Sequence, residues 1–212
     1  MHSHGIKGDT FMRRTGGHFN FLFTGSGSQI YDATMVKLTR NLYRRVINDS
    51  AMLLSEGTIL DVGTGPGRLA IGIAQHLPEL QVFGVDISAG MIQQANQNTA
   101  KAHLEERVHF EVGNVAHLPY QDQAFDLIVS TISMHHWDEW EQPLRDLYRV
   151  LRPGGHLWIY DFRFIKPQAL KKALTSTPFA QVRLEDALVR TGSGPFALYR
   201  RFALQKPDHG KP

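Results

Sequence analysis

Apolar positions first recur at helical spacing. Tyr31, Met35, Leu38, Leu42 and Val46 lie three or four residues apart and predict an amphipathic helix over residues 30–48. After Gly57 the period changes. Residues 58–62 predict a short apolar strand closed by a glycine-rich turn, and Leu69, Ala70, Ile73, Ala74 and Leu77 give the next helical face, with Pro78 as a stop. Residues 81–85 predict a second strand, and Ser88 is placed to N-cap a helix carrying Met91, Ile92, Ala95 and Ala102. A third strand is predicted over residues 108–112. A fourth, over 125–131, is nearly all apolar, as cover on both faces requires. Trp140, Leu144, Leu147, Val150 and Leu151 form another helical face. Arg152-Pro153-Gly154-Gly155 ends it, and residues 156–162 predict a fifth strand. A short helix over 167–174 precedes two β-like segments, 180–189 and 196–204, joined by Thr191-Gly192-Ser193-Gly194-Pro195.

Strands alternating with helices predict an α/β fold with a doubly wound, Rossmann-like parallel sheet, and the final hairpin makes the last strands antiparallel. The length of 212 residues bounds the chain to one such domain. The expected organisation is an N-terminal arm and helix over residues 1–55, the α/β domain over 56–206, and a tail over 207–212. Residues 1–28 are rich in Gly, Ser and His and interrupted by Phe19, Phe21 and Phe23. This arm, with Tyr31, is expected to act as a lid over an apolar or planar ligand.

Charge and cysteine content narrow the setting. The net charge is +3, but residues 1–55 carry seven Lys/Arg against three Asp/Glu, residues 56–162 six against fourteen, and residues 163–212 ten against three. Basic flanks around an acidic middle raise an anionic or nucleic-acid partner as an alternative, although a solvated surface accounts for them as well. There are no cysteines, no apolar core of a secretory signal and no apolar run of membrane-spanning length, so a cytosolic protein without a membrane partner is expected.

The chemistry concentrates at the turn after the first strand, where open α/β sheets bind ligands. A dinucleotide site wants Gly-x-Gly-x-x-Gly. Here the glycines stand at 63, 65 and 67, and the bulky Arg68 occupies the position that pattern needs. The spacing in Asp61-Val62-Gly63-Thr64-Gly65-Pro66-Gly67 suits an amino-acid moiety instead, with Asp61 holding its ammonium directly or through water. Val82-Phe83-Gly84-Val85-Asp86 is an apolar strand ending in an acid, which can accept both hydroxyls of a ribose.

These residues resemble the class I S-adenosylmethionine-dependent methyltransferases, in the small-molecule branch that includes ubiquinone-biosynthesis-like enzymes. The resemblance runs from about Thr58 to Phe162 and rests on Leu60-Asp61-Val62-Gly63-Thr64-Gly65-Pro66-Gly67, Gly84-Val85-Asp86-Ile87-Ser88, Gly113-Asn114-Val115 with Leu118-Pro119, Phe125-Asp126-Leu127-Ile128-Val129-Ser130 and Arg149-Val150-Leu151-Arg152-Pro153-Gly154-Gly155. It implies a seven-stranded sheet with its last strand antiparallel and S-adenosylmethionine as cofactor. It also implies a cofactor site of Asp61, Gly63, Thr64, Gly65, Gly67, Asp86, Ile87, Met91, Asn114, Val115 and Ser130. Asn114 departs from the family's usual Asp, but its amide oxygen also accepts a hydrogen bond from the adenine amino group. Val115 would donate its backbone N–H to the adenine ring, and Met91 would pack on the adenine face.

Methyl transfer from a sulfonium needs alignment and exclusion of water, with a general base only where the nucleophile must lose a proton. Ser130, Thr131, Ser133, His135, His136 and Trp137 lie past or at the end of the fourth strand, and His135 or His136 is the candidate base. The two histidines are adjacent, so one is expected to face the site and the other to pack or cap. No Asn-Pro-Pro-Tyr-like run follows, which disfavours the amide- and adenine-nitrogen methylators of the family. No metal-ligand spacing is evident, and no large insertion supplies a surface for a macromolecule, so a small-molecule acceptor is expected. The alternatives are a different reaction of bound S-adenosylmethionine and an RNA methyltransferase using the basic flanks.

Overall fold

The computed structural model describes residues 27–191 and 197–208, with side chains from residue 39 onward. The expected lid lies, up to residue 26, outside the described residues, as do most of the hairpin loop and the end of the tail. Two compact units divide the chain, Met1–Leu42 and Tyr43–Pro212. The first described element is α1, Gly27–Leu53, whose residues from Tyr43 onward belong to the second unit.

All seven strands lie in the second unit: β1 Gly57–Val62, β2 Leu80–Asp86, β3 Val108–Val112, β4 Phe125–Thr131, β5 Leu151–Phe162, β6 Glu185–Val189 and β7 Tyr199–Gln205. The helices α2 Arg68–His76, α3 Ala89–Ala102, α4 Glu141–Val150 and α5 Pro167–Leu174 alternate with them. The sheet order is β3-β2-β1-β4-β5-β7-β6. β1 to β5 pair in parallel, and β7 runs antiparallel between β5 and β6. The order reverses beside β1, between β2 and β4, so the carboxyl ends of these three strands frame the crevice where such folds bind ligands.

The local reasons are those of the sequence. Ser88 accepts a hydrogen bond from the Met91 N–H at 3.4 Å and caps α3. Leu127, Ile128, Val129 and Ser130 of β4 are fully buried, between the layers of the sheet's two faces. Leu144, Leu147 and Val150 of α4 join Leu60, Ile128 and Leu157 in one apolar core.

Two boundaries differ from expectation. β5 begins at Leu151 and runs through Pro153-Gly154-Gly155, because the register against β4 shifts between Phe125 and Leu127 and an irregular strand absorbs these residues. The chain before β6 forms turns up to Val182, whose N–H bonds the Phe179 carbonyl, so β6 is shorter than residues 180–189.

Candidate functional site

The glycine-rich turn is stitched to β2, since the Gly63 and Thr64 N–H groups both donate to the Val85 carbonyl, at 2.9 and 3.1 Å. Two of its glycines are required by the protein itself. At Gly63, with φ +72°, a Cβ would lie 2.1 Å from the Ser133 hydroxyl, and at Gly67, with φ +77°, 2.6 Å from the Phe110 ring. At Gly65 the added carbon would face open space.

Two acids bracket this turn. Asp86 is half-buried at the end of β2, where one oxygen accepts from the Gly65 N–H and the other from the Ser88 N–H, both at 2.9 Å. A carboxylate has about four lone-pair positions, so each oxygen keeps capacity for a further donor. Asp61 is 1% exposed, and one oxygen accepts from the Thr64 hydroxyl at 2.8 Å while the other is buried without a hydrogen-bond partner. Burial pushes its carboxyl up to about 7; the Thr64 bond opposes that rise, and the charge of Asp86 adds to it.

A cleft of about 710 Å³ opens between these elements, and it gathers Gly63, Asp86, Ile87, Asn114, Val115 and His136 on its wall. Ile87 is an apolar side chain left 74% exposed. Asn114 accepts from the Ala116 N–H at 2.9 Å, a local turn that fixes its amide while sparing the amide's N–H groups. The other expected site residues do not line the cleft. Asp61 and Thr64 are buried in the turn, Gly65 and Gly67 form its outer part and the entry to α2, and Met91 lies on the first turn of α3, 46% exposed. Ser130 is buried in β4 with its hydroxyl unpartnered.

Past β4 the chain turns sharply. Ile132 adopts φ +53°, unusual for a β-branched residue, and its N–H bonds the Tyr160 carbonyl at 2.7 Å. A 3-10 turn, Met134–His136, follows. Buried Asp161 holds His135, accepting from its backbone N–H at 3.1 Å and pairing with its Nδ1 at 2.9 Å. The His136 ring lies 3.9 Å from that of His135, centroid to centroid, and borders the cleft. Burial, with the adjacent His135 ring, holds its pKa below the usual histidine value, against the opposing pull of Asp161. One histidine therefore faces the cleft and the other packs.

Ile132, Asp138, Glu139, Gln142 and Pro143 also line the cleft, and sequence reasoning did not single them out. Their signal was positional. Asp138 and Glu139 follow His136-Trp137, and the first turn of α4 starts from the same carboxyl edge of the sheet. Asp161 and Tyr43 were missed as well. Burial pushes the Tyr43 phenol up to about 12; the Asp61 charge adds to that, while Arg68 and a hydrogen bond with Thr131 oppose it. Tyr43 stands off the apolar row of α1, so periodicity passes it by. Among the described residues, no three His, Asp or Glu side chains converge as a metal site needs.

The fold and this cleft define a doubly wound α/β domain with an open cleft at its switch point. A family model described as a methyltransferase domain matches residues 53–198. Among curated proteins, the 27-O-demethylrifamycin SV methyltransferase of Amycolatopsis mediterranei is 34% identical over 137 residues, covering 65% of this chain and 50% of that protein. The demethylmenaquinone methyltransferase of Deinococcus radiodurans is 32% identical over 120 residues, covering 57% and 49%. The chain thus spans about half the length of the curated relatives it matches. Among solved structures, an S-adenosyl-L-methionine-dependent methyltransferase fold from Methanococcus maripaludis aligns with a TM-score of 0.63 at 22% identity, over 88% of this chain and 94% of that one. The [4+2]-cyclase SpnF aligns with a TM-score of 0.63 at 23% identity, over 77% and 81%. The chain belongs to the methyltransferase domain family.

Proposed function

We propose that the protein transfers the methyl group of S-adenosylmethionine to a small molecule by direct displacement. The observation that carries this reading is the composition of the cleft. Asp86, with acceptor capacity to spare, stands beside exposed Ile87 and the Asn114-Val115 pair, with His136 also on the wall. These residues fit the cofactor. Asp86 would take the ribose hydroxyls. Ile87 would offer apolar surface to the adenine, with Asn114 and the Val115 N–H at its polar edge. The buried, unpartnered oxygen of Asp61 would take the ammonium, directly or through water.

The cofactor, when bound, supplies an activated methyl group on a positively charged sulfur. The chain's task is then to orient the acceptor and exclude water. Ile132 and Trp137 give the cleft apolar wall, and the Trp137 indole donates to the Ser133 hydroxyl at 3.3 Å, which fixes its ring. His136, whose lowered pKa favours the neutral ring, would accept a proton from an acceptor hydroxyl or amine. His135, held by Asp161 and with its ring tilted against that of His136, would position it.

The relatives named for rifamycin and menaquinone precursors support a small-molecule acceptor. A second reading, another reaction of the bound cofactor, has the support that a protein of the same fold is called a cyclase. Mass spectrometry separates the two. Incubation with S-adenosylmethionine and a panel of phenols, quinols and amines should yield S-adenosylhomocysteine and an acceptor one CH2 heavier. Cofactor consumed without a methylated product would favour the second reading.

A further inference from the structure

The carboxyl side of the sheet holds a second cavity, of about 560 Å³, which shares no lining residue with the Asp86 cleft. It follows from the strand register. Tyr160 of β5, Arg201 of β7 and Ala187 of β6 are directly paired across the sheet and so share one face. On that face the Tyr160 hydroxyl donates to Asp49 of α1 at 2.9 Å, which brings Asp49 and Arg45 over the same strands. Val189 and Phe162 both pair with Tyr199, so the ends of β6 and β5 are level, and the next residue of each strand is an arginine, Arg190 and Arg163. Four guanidinium groups, Arg45, Arg163, Arg190 and Arg201, thus line the cavity against one carboxylate, Asp49.

That carboxylate is already engaged. Asp49 is 5% exposed and accepts from the Tyr160 hydroxyl at 2.9 Å and from Arg45 Nε at 2.8 and 3.0 Å, while Arg201 lies 3.7 Å away. Arg201 also sits over the Trp158 ring, at 5.7 Å. Arg163 donates to the Ala197 carbonyl at 3.5 Å, and neither Arg163 nor Arg190 forms an ion pair among the described residues. Gathering like charges around a concavity opposes folding unless a counter-charge enters. The planar guanidinium fork matches phosphate and carboxylate oxygens, and several converging forks make a site for one small, multiply charged group.

We propose that this cavity binds a small anion bearing phosphate or carboxylate groups, at a site separate from the cofactor cleft. Calorimetric titration of the full chain with inorganic pyrophosphate and with citrate, at matched ionic strength, tests it. At least one probe should bind saturably, and the one that binds identifies the group. The double variant Arg163→Gln/Arg190→Gln should weaken that binding at least about tenfold. Both arginines are exposed and neither lines the Asp86 cleft, so the variant should keep the wild-type affinity for S-adenosylhomocysteine, which also reports that it is folded. No binding of either probe beyond a chloride control, or equal binding by the double variant, would overturn the site. A short RNA held through the same arginines more tightly than either probe would also overturn it, in favour of a nucleic-acid surface. None of these outcomes depends on whether methyl transfer occurs.

Discussion

Asp161 grips His135 twice, by the backbone N–H at 3.1 Å and by the ring Nδ1 at 2.9 Å, from a carboxylate that has no solvent exposure. The same carboxylate accepts from the Phe162 N–H at 2.7 Å. One residue at the end of β5 therefore fixes the turn that follows β4, and with it the direction of His136 into the cleft. Asp161→Ala leaves these donors without a partner and should destabilise the protein by about 2–3 kcal/mol. Urea unfolding would show this as a lower midpoint with an unchanged slope. In the milder Asp161→Asn variant, turnover should fall while S-adenosylhomocysteine affinity stays within about threefold, because His135 is off the cleft wall.

His136 carries a pH prediction. Its folded pKa lies below the unfolded value near 6.5, so the unfolded chain binds this proton more readily. Its contribution to stability is complete above that value and is lost as pH falls through the lower folded pKa. Turnover should drop over the same range, because the protonated ring cannot accept a proton. NMR titration of the ring should give a midpoint below 6.5, and His136→Gln should remove the acidic limb of the rate profile. An acidic limb that survives in the variant would assign the base elsewhere.

Asp61 has the opposite sign. Its carboxyl is raised to about 7, so its contribution to stability is complete below the unfolded value and lost as pH rises through 7. A cationic ammonium beside it favours the ionised form. Binding of S-adenosylmethionine near pH 7 should therefore release a proton, seen as calorimetric heats that change with the ionisation heat of the buffer. Asp61→Asn should abolish that dependence and make the free protein more stable at alkaline pH. Heats independent of buffer in the wild type would show that Asp61 does not take up the charge.

Much of this was legible in the sequence because it rests on local chemistry. The alternation of strand and helix, the cap at Ser88 and the buried run of β4 follow from periodicity and side-chain type, and the acid at Asp86 marks a strand end. What stayed hidden depends on long-range pairing. Gly63 reads as a ligand-facing glycine, yet its lack of a side chain is required by Ser133, 70 residues along the chain. Asp161 reads as one more strand residue until the β4 turn is folded onto it. Pro153-Gly154-Gly155 reads as a break, but backbone bonds of Gly154 and Gly155 with Lys206, just past β7, carry the strand through it. The arginines of the second cavity are scattered from residue 45 to residue 201, and the register of β5, β6 and β7 together with the Tyr160–Asp49 bond assembles them.

Binding of S-adenosylmethionine in the Asp86 cleft is read by calorimetric titration of the purified protein with S-adenosylmethionine and S-adenosylhomocysteine. Both should bind saturably, one per chain. Asp86→Ala should weaken binding about tenfold or more, since it removes charge-assisted hydrogen bonds worth about 1.5–3 kcal/mol each before compensation. No heat with either ligand, together with saturable binding of a nicotinamide dinucleotide, would contradict it.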